Sequence, residues 1–173
     1  FIVIAYGKII PERVINLPKM GTINLHYSLL PKYRGASPVE SAILNDDVET
    51  GITIQQMVYK LDAGNILYQE KMEILVTETA SELRDKLNKK AMEIFPEFFS
   101  YLFNEQKSPP NPLFTERGGI VQEEELATSC GKFRKEDMDV TKEIENRDYL
   151  AIYKKYKAFD KKIYFFFTKK NGV

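Results

Sequence analysis

The most constraining feature of this chain is a capped helix signal in its middle. Thr79-Ala-Ser-Glu82 fits a capping box, in which Thr79 and Glu82 satisfy each other's orphan amides. Leu83, Leu87, Ala91, Phe95, Phe98 and Leu102 then recur at helical spacing, so a long amphipathic helix is expected over about Thr79–Asn104. Pro96 lies inside it and predicts a kink or a break. A stripe of that length is a core face and must be covered by another layer.

The segments before the helix supply that layer. Gly51–Val58 alternates, with Ile52, Ile54 and Gln56 on one face and Thr53, Gln55 and Met57 on the other. Ile66–Ile74 alternates again, and the two strands can pair across a wide Lys60–Gly64 loop. Upstream, Phe1-Ile-Val-Ile-Ala-Tyr-Gly7 is a continuous apolar run, which reads as a strand buried on both faces of a largely parallel sheet. A short helix is expected over Pro11–Leu17, broken by Pro18 and Gly21, and then a strand over Thr22–Leu25. Ser37 or a neighbour opens a helix through Pro38–Leu44, ended by Asn45-Asp46-Asp47. The pattern is α/β.

Beyond the helix, Ser108-Pro-Pro-Asn-Pro112 reads as a stiff linker and the best domain boundary. A short strand at Ile120–Glu123, a helix over Thr141–Phe159 and a strand over Ile163–Thr168 are expected after it. The helix would carry Tyr149, Ile152, Tyr153 and Tyr156 on one face. Asn171-Gly172 is a preferred hairpin turn whose returning strand is missing, and the chain opens without Met, so both ends read as cut.

Composition excludes several functions. Cys130 is the only cysteine, which rules out an internal disulfide and a cysteine-cluster metal site. His26 is the only histidine, so a zinc or non-haem iron site would rest on carboxylates almost alone, and no metal is expected. No apolar run approaches the ~20 residues of a membrane helix, and a reducing, cytoplasm-like compartment is the default. Net charge is zero, yet residues 132–173 carry 12 basic and 7 acidic side chains. That imbalance fits either a polyanion partner or a solvated lysine-rich face.

His26 would stand at the C-terminal end of its strand, the edge where open α/β sheets bind ligands. Asn24, two residues earlier, shares its face. An amide and an imidazole there, with Asp62 from the Leu61-Asp-Ala-Gly64 loop, suit acyl transfer without a covalent intermediate. Asn24 can donate to an oxyanion, a protonated His26 can add a second donor and protonate a leaving nitrogen, and Asp62 can pair with His26 and direct a water. Taken singly, each is also an ordinary residue: Asn-x-His is a weak motif, and Asp favours such turns. Ser28 lacks the flanking glycines of a nucleophile elbow. Arg34-Gly35 is either a plain loop or an anion clamp.

Together these segments are more specific. Asn24-Leu-His26-Tyr-Ser28-Leu-Leu-Pro31-Lys-Tyr-Arg34-Gly35-Ala-Ser-Pro38, then Glu49-Thr-Gly51-Ile-Thr53, then Leu61-Asp62-Ala-Gly64-Asn-Ile-Leu67, resemble the formyltransferases that use 10-formyltetrahydrofolate. The match is close from Phe1 to about Asn104 and looser beyond. The resemblance implies that Asn24, His26 and Asp62 are the catalytic trio. It implies a folate site against Tyr6, Gly7, Lys8, Ile9 and Ile10, against Ser28, Leu29, Leu30 and Pro31, and against Lys60, Leu61 and Ala63. Within the family, Arg34-Gly-Ala-Ser-Pro38 and Ala127-Thr-Ser-Cys-Gly-Lys132-Phe-Arg-Lys135 look like the branch acting on methionyl-tRNA, although sugar-nucleotide enzymes keep part of the first motif. That branch implies formylation of the α-amino group of initiator methionyl-tRNA, with Arg34, Lys132, Lys154 and Lys155 as substrate contacts and the basic end neutralising phosphates.

The implied organisation is the C-terminal half of a Rossmann-like formyltransferase domain (residues 1–107), a linker (residues 108–118) and the start of an OB-like tRNA-binding barrel (residues 119–173). A monomer is implied, cytoplasmic in a bacterium and in the mitochondrial matrix in a eukaryote. Formylation of an amino sugar nucleotide or other small amine, a folate hydrolase module, and non-catalytic RNA binding remain the alternatives.

Overall fold

The structure is a computed structural model describing residues 1–103 and 119–165. In chain order it contains β1 (Ile2–Ile4), α1 (Glu12–Ile15), β2 (Ile23–His26), β3 (Arg34–Gly35), α2 (Pro38–Leu44), β4 (Glu49–Gln56) and β5 (Ile66–Glu73). Then come α3 (Ala80–Phe103), β6 (Ser129–Cys130), α4 (Thr141–Glu145) and α5 (Tyr149–Ala158).

The α3 signal is realised as the sequence implies. Thr79 N donates to Glu82 Oε2 at 2.8 Å, and Glu82 N lies 3.4 Å from Thr79 Oγ1. The helix runs through Pro96 without ending. Pro96 and Met92, whose carbonyl the proline cannot bond, are both exposed, so the lost hydrogen bond lies on the solvent side. Leu83, Leu87, Ala91, Ile94 and Phe98 bury the stripe, with Ile94 deeper than the expected Phe95.

That stripe packs on a four-stranded sheet of order β1-β2-β4-β5. The sheet is mixed: β1 is parallel to β2, while β2–β4 and β4–β5 are antiparallel. The expected largely parallel sheet is therefore limited to one pair, because β4 and β5 form a hairpin that returns beside β2. Ile23, Leu25, Ile52, Ile54 and Tyr68 face the helix and form the core. The opposite face is polar, since Asn24 pairs with Gln55, His26 with Thr53, and Thr53 with Gln69.

β1 is not buried on both faces as its apolar run suggests. Ile2 is 51% and Ile4 47% exposed. Among the described residues β1 pairs on one side only, with β2, and gives no residue to the main core.

Past α3 the expectations shift more. The linker Ser108–Pro112 and the Asn171-Gly172 turn lie outside the described residues. At Ile120–Glu123 only Ile120 pairs, bridging Ile66. The single helix expected over Thr141–Phe159 is two helices. Arg147 takes a φ of 56°, and Asp148 Oδ1 accepts Ala151 N at 3.0 Å, capping α5. The tyrosine face is outward: Tyr149 is 73% exposed, while Lys157, Ala158 and Phe159 pack inward. Tyr164 bridges Asp139, and residues 166–168 of the expected final strand lie outside the description.

The described residues 119–165 dock on the first half of the chain. β6 pairs in parallel with β3, Arg34 opposite Ser129 and Gly35 opposite Cys130. Gly35 has a φ of 124°, and a Cβ there would lie 2.1 Å from the Cys130 carbonyl oxygen, so this approach requires glycine. Ala158 and Phe159 enter the core shared by the sheet and α3.

Candidate active site

β2 presents Asn24 and His26 on the polar face, and the loop after β4 folds back to bring Asp62 to them. Asp62 adopts a φ of 47°, a left-handed conformation that asparagine and aspartate tolerate better than most residues. Gly64 completes the bend: a Cβ there would sit 1.6 Å from the Gln56 carbonyl oxygen.

The Asp62 carboxylate is held from three sides. Oδ1 accepts Gln55 Nε2 at 2.8 Å and Asn24 Nδ2 at 3.3 Å, and Oδ2 accepts the Gly35 amide at 2.8 Å. Oδ2 also faces His26 Nδ1 at 3.7 Å, an ion-pair distance when the ring is protonated but longer than a hydrogen bond. His26 Nε2 lies 2.8 Å from the Tyr33 carbonyl oxygen. A carbonyl only accepts, so Nε2 carries a hydrogen and Nδ1 is the ring nitrogen left facing Asp62. The expected free imidazole donor is thus restricted to Nδ1. Asn24 spends one amide hydrogen on Asp62 and keeps the second.

The Ser28–Pro31 segment is placed differently from the implied folate contact. Ser28 is fully buried; its hydroxyl donates to the Lys32 carbonyl at 2.5 Å, and its carbonyl accepts Thr53 Oγ1 at 2.6 Å. Leu30 is 3% exposed, and its carbonyl accepts Gln69 Nε2 at 2.9 Å. The Leu30–Pro31 peptide is cis, and the Pro31 carbonyl accepts Thr128 N. Leu29 is half-buried and its carbonyl accepts Lys32 N. In this conformation Ser28 and Leu30 pack inward behind His26, while Leu29 and Pro31 keep half-buried surface.

The other implied folate contacts are accessible. Tyr6, Gly7, Lys8 and Ile9 are exposed, Ile9 by 83%, and Ile10 is half-buried. Lys60 and Leu61 are exposed as well, and Ala63 is half-buried. The two loops leave β1 and β4, the strands on either side of β2.

The implied substrate contacts divide. Arg34 is 7% exposed, and its guanidinium is largely engaged: Nε donates to Gln122 Oε1, and Nη1 donates to both oxygens of Glu124, each at 3.0 Å. Lys60 reaches the same carboxylate at 2.8 Å, and it and Arg34 hold Glu124 below the usual carboxylate range. Only Arg34 Nη2 is left, a buried atom with no partner. A freely presented anion clamp is therefore absent in this conformation. Lys154 pairs with Asp46, and Lys155 pairs with Glu143 at 2.8 Å, because α5 packs beside α2 and α4 and turns them toward those carboxylates. Lys132 is exposed.

Two glutamines escaped the sequence reading. Gln55 was visible only as a polar position in an alternating strand. Gln122 carried no local signal, yet it is 5% exposed and its amide reaches the carbonyls of Asp62 and Gly64, each at 2.8 Å. Among the described residues no cluster of His, Cys, Asp or Glu could hold a metal ion, and no helix is long and apolar enough to cross a membrane. A separate cavity of about 430 Å³ lies between Leu44, Phe133, Asp139 and Lys155 and includes none of Asn24, His26 and Asp62.

A family model described as formyl transferase matches residues 1–99. A methionyl-tRNA formyltransferase of Staphylococcus epidermidis is 40% identical over 133 residues, covering 77% of this chain and 40% of that protein. The chain thus spans about two fifths of the length of that curated relative. Among solved structures, the sugar 3N-formyl transferase WlaRD, determined with dTDP and 5-N-formyl-THF, superposes with a TM-score of 0.69 at 22% identity, covering 92% of this chain and 53% of that one. HypX from Aquifex aeolicus in complex with tetrahydrofolic acid gives 0.72 at 20% identity, covering 92% and 25%. These two likenesses concern the fold.

Proposed function

Because the chain belongs to the formyl transferase family, we propose that it forms part of an enzyme moving a formyl group from 10-formyltetrahydrofolate to the α-amino group of initiator methionyl-tRNA. One observation carries the reading: Asn24 and His26, on one strand, converge on the carboxylate of Asp62 from a distant loop, in a chain 40% identical to a methionyl-tRNA formyltransferase. The methionyl amine attacks the formyl carbon, forming a C–N bond and a tetrahedral oxyanion. The second amide hydrogen of Asn24 and the Nδ1 hydrogen of His26 stabilise that oxygen. Asp62 pairs with His26 and directs a water that takes the amine proton; as the C–N bond to the folate breaks, His26 Nδ1 gives its proton to the departing nitrogen and is reprotonated by the one that the water took. No step needs a metal.

The formyl donor is held by the exposed loops Tyr6–Ile10 and Lys60–Ala63, where Ile9 and Leu61 offer apolar surface to the pterin ring. In this reading residues 1–107 form the catalytic part, residues 108–118 the linker, and residues 119–173 the start of an OB-like tRNA-binding barrel. Lys132 is the best placed of the proposed tRNA contacts, being exposed. The protein acts as a cytoplasmic monomer.

A second reading is favoured by one observation: Lys154 and Lys155 are already ion-paired, which weakens the basic surface a tRNA would use. It assigns an amino sugar nucleotide as acceptor. The test is formyl transfer by the full-length protein to charged initiator methionyl-tRNA, with His26→Ala as control. We expect Asn24→Ala, His26→Ala and Asp62→Ala each to lower turnover roughly a hundredfold or more. Near-normal turnover in His26→Ala would sink the mechanism. Folate binding without transfer to the tRNA would move the acceptor to an amino sugar.

A further inference from the structure

Three consecutive residues, Tyr33 and the two of β3, each hold a different part of the site. The Tyr33 carbonyl holds His26 Nε2, Arg34 Nε holds Gln122, and the Gly35 amide holds Asp62. Gln122 closes the circuit from the other side. Its side-chain oxygen accepts from Arg34, while its amide donates to the carbonyls of Asp62 and Gly64 and approaches Gln55 Oε1 at 3.3 Å. Gln55 in turn donates to the Asp62 carboxylate.

The segment carrying Gln122 is itself pinned at both ends. Ile120 exchanges two backbone hydrogen bonds with Ile66, at 2.8 and 2.9 Å. Thr128 accepts Tyr33 N on its hydroxyl and Arg34 N on its carbonyl, each at 2.8 Å. Between these anchors Gln122 reaches Asp62, 60 residues earlier in the chain.

We propose that Gln122 is a positioning residue, acting through Asp62, and that the Ile120–Cys130 segment completes the active site from outside the sheet. The physical reason is the backbone of Asp62. A left-handed φ costs a residue other than glycine some backbone strain, even aspartate, so the Asp62 conformation depends on restraint from its surroundings. The two bonds from Gln122 to the carbonyls of Asp62 and Gly64 supply that restraint on both sides of Ala63. Without them the loop relaxes, and the carboxylate leaves its place opposite His26 Nδ1.

The inference rests on the formyl-transfer reading for its kinetic test but not for its structural one. In the full-length protein, Gln122→Glu keeps an oxygen for Arg34 but removes the amide donors, and it sets a carboxylate against two carbonyls. Gln122→Met keeps the length and removes every polar contact. We expect kcat to fall about 10- to 100-fold in both variants, with KM for both substrates within about threefold. In histidine-labelled protein, with the signal assigned by His26→Gln, the His26 ring resonances should shift in both variants, and amide exchange across Ala63–Asn65 should quicken. A folded variant with wild-type kcat and unmoved His26 resonances would overturn the proposal. If both variants fail to fold, Gln122 is a structural residue and the proposal is equally lost. If the wild type transfers no formyl group, the functional reading fails, and the resonance and exchange results still decide the role of Gln122.

Discussion

Asp62→Asn isolates the charge at the centre of the site. The substitution keeps the shape but turns one acceptor oxygen into a donor. With the amide oxygen toward Gln55 and Asn24, the new NH₂ meets the Gly35 amide; with the oxygen toward Gly35, it meets two side-chain amides. Either way at least one donor faces another, costing about 1–3 kcal/mol, or roughly 3–10 °C in melting temperature for a chain of this size. Lost charge is a separate effect. A carboxylate 3.7 Å from a protonated imidazole is worth about 1 kcal/mol with water-like screening and about 4 kcal/mol with the screening of a partly buried pair. Turnover should therefore fall roughly 10- to 1,000-fold, while most of the protein stays folded at 25 °C. The assay is single-turnover formyl transfer at saturating folate and acceptor, beside a thermal melt. A rate within about threefold of wild type in folded protein would refute the electrostatic argument. A melt lowered by much more than 10 °C would refute the count of hydrogen bonds.

Other perturbations test neighbouring parts of the structure. Gly64→Ala would place a Cβ 1.6 Å from the Gln56 carbonyl oxygen, so the loop must move; we expect lost turnover with the far-ultraviolet spectrum retained, and normal turnover would count against the loop geometry. Thr79→Ala should cost about 1 kcal/mol by removing the hydroxyl that bonds the Glu82 carboxylate and amide, read as a lower urea midpoint with unchanged kcat. Glu82 is held below its ordinary value of 4.5 by hydrogen bonds from the Thr79 backbone and hydroxyl. A depressed folded-state value stabilises the fold above about pH 4.5, and that stability is lost as pH falls through the depressed value. The gap in urea midpoint between wild type and Glu82→Gln should be full at pH 7 and close below pH 4.5; a pH-independent gap would contradict the sign. Lys132→Ala should weaken binding to methionyl-tRNA and lower the salt slope by about one unit, and an unchanged slope would remove Lys132 from the tRNA contacts.

Local elements with short-range signals are legible in the amino-acid order. The α3 boundaries follow from a capping box and a 3.6-residue stripe, α2 from Pro38 and the Asn45 stop, and the β4–β5 hairpin from period-two alternation. It also put Asn24 and His26 on one face, because two residues of one strand must share it. Helix α5 shows the limit of periodicity: Asp148 was a capping signal inside a segment that read as one continuous helix.

Tertiary structure alone decided the rest. The burial of Ser28 and Leu30, whose carbonyls accept from Thr53 and Gln69, is set by packing that no local signal announces. Lys154 and Lys155 looked like free charge until α5 was turned toward Asp46 and Glu143. Gln122 left no trace in its own neighbourhood, since its function is a set of hydrogen bonds to carbonyls about 60 residues upstream. Spacing along a chain constrains what lies within a turn or a strand pair, and only the closed fold sets which distant backbone groups must be satisfied together.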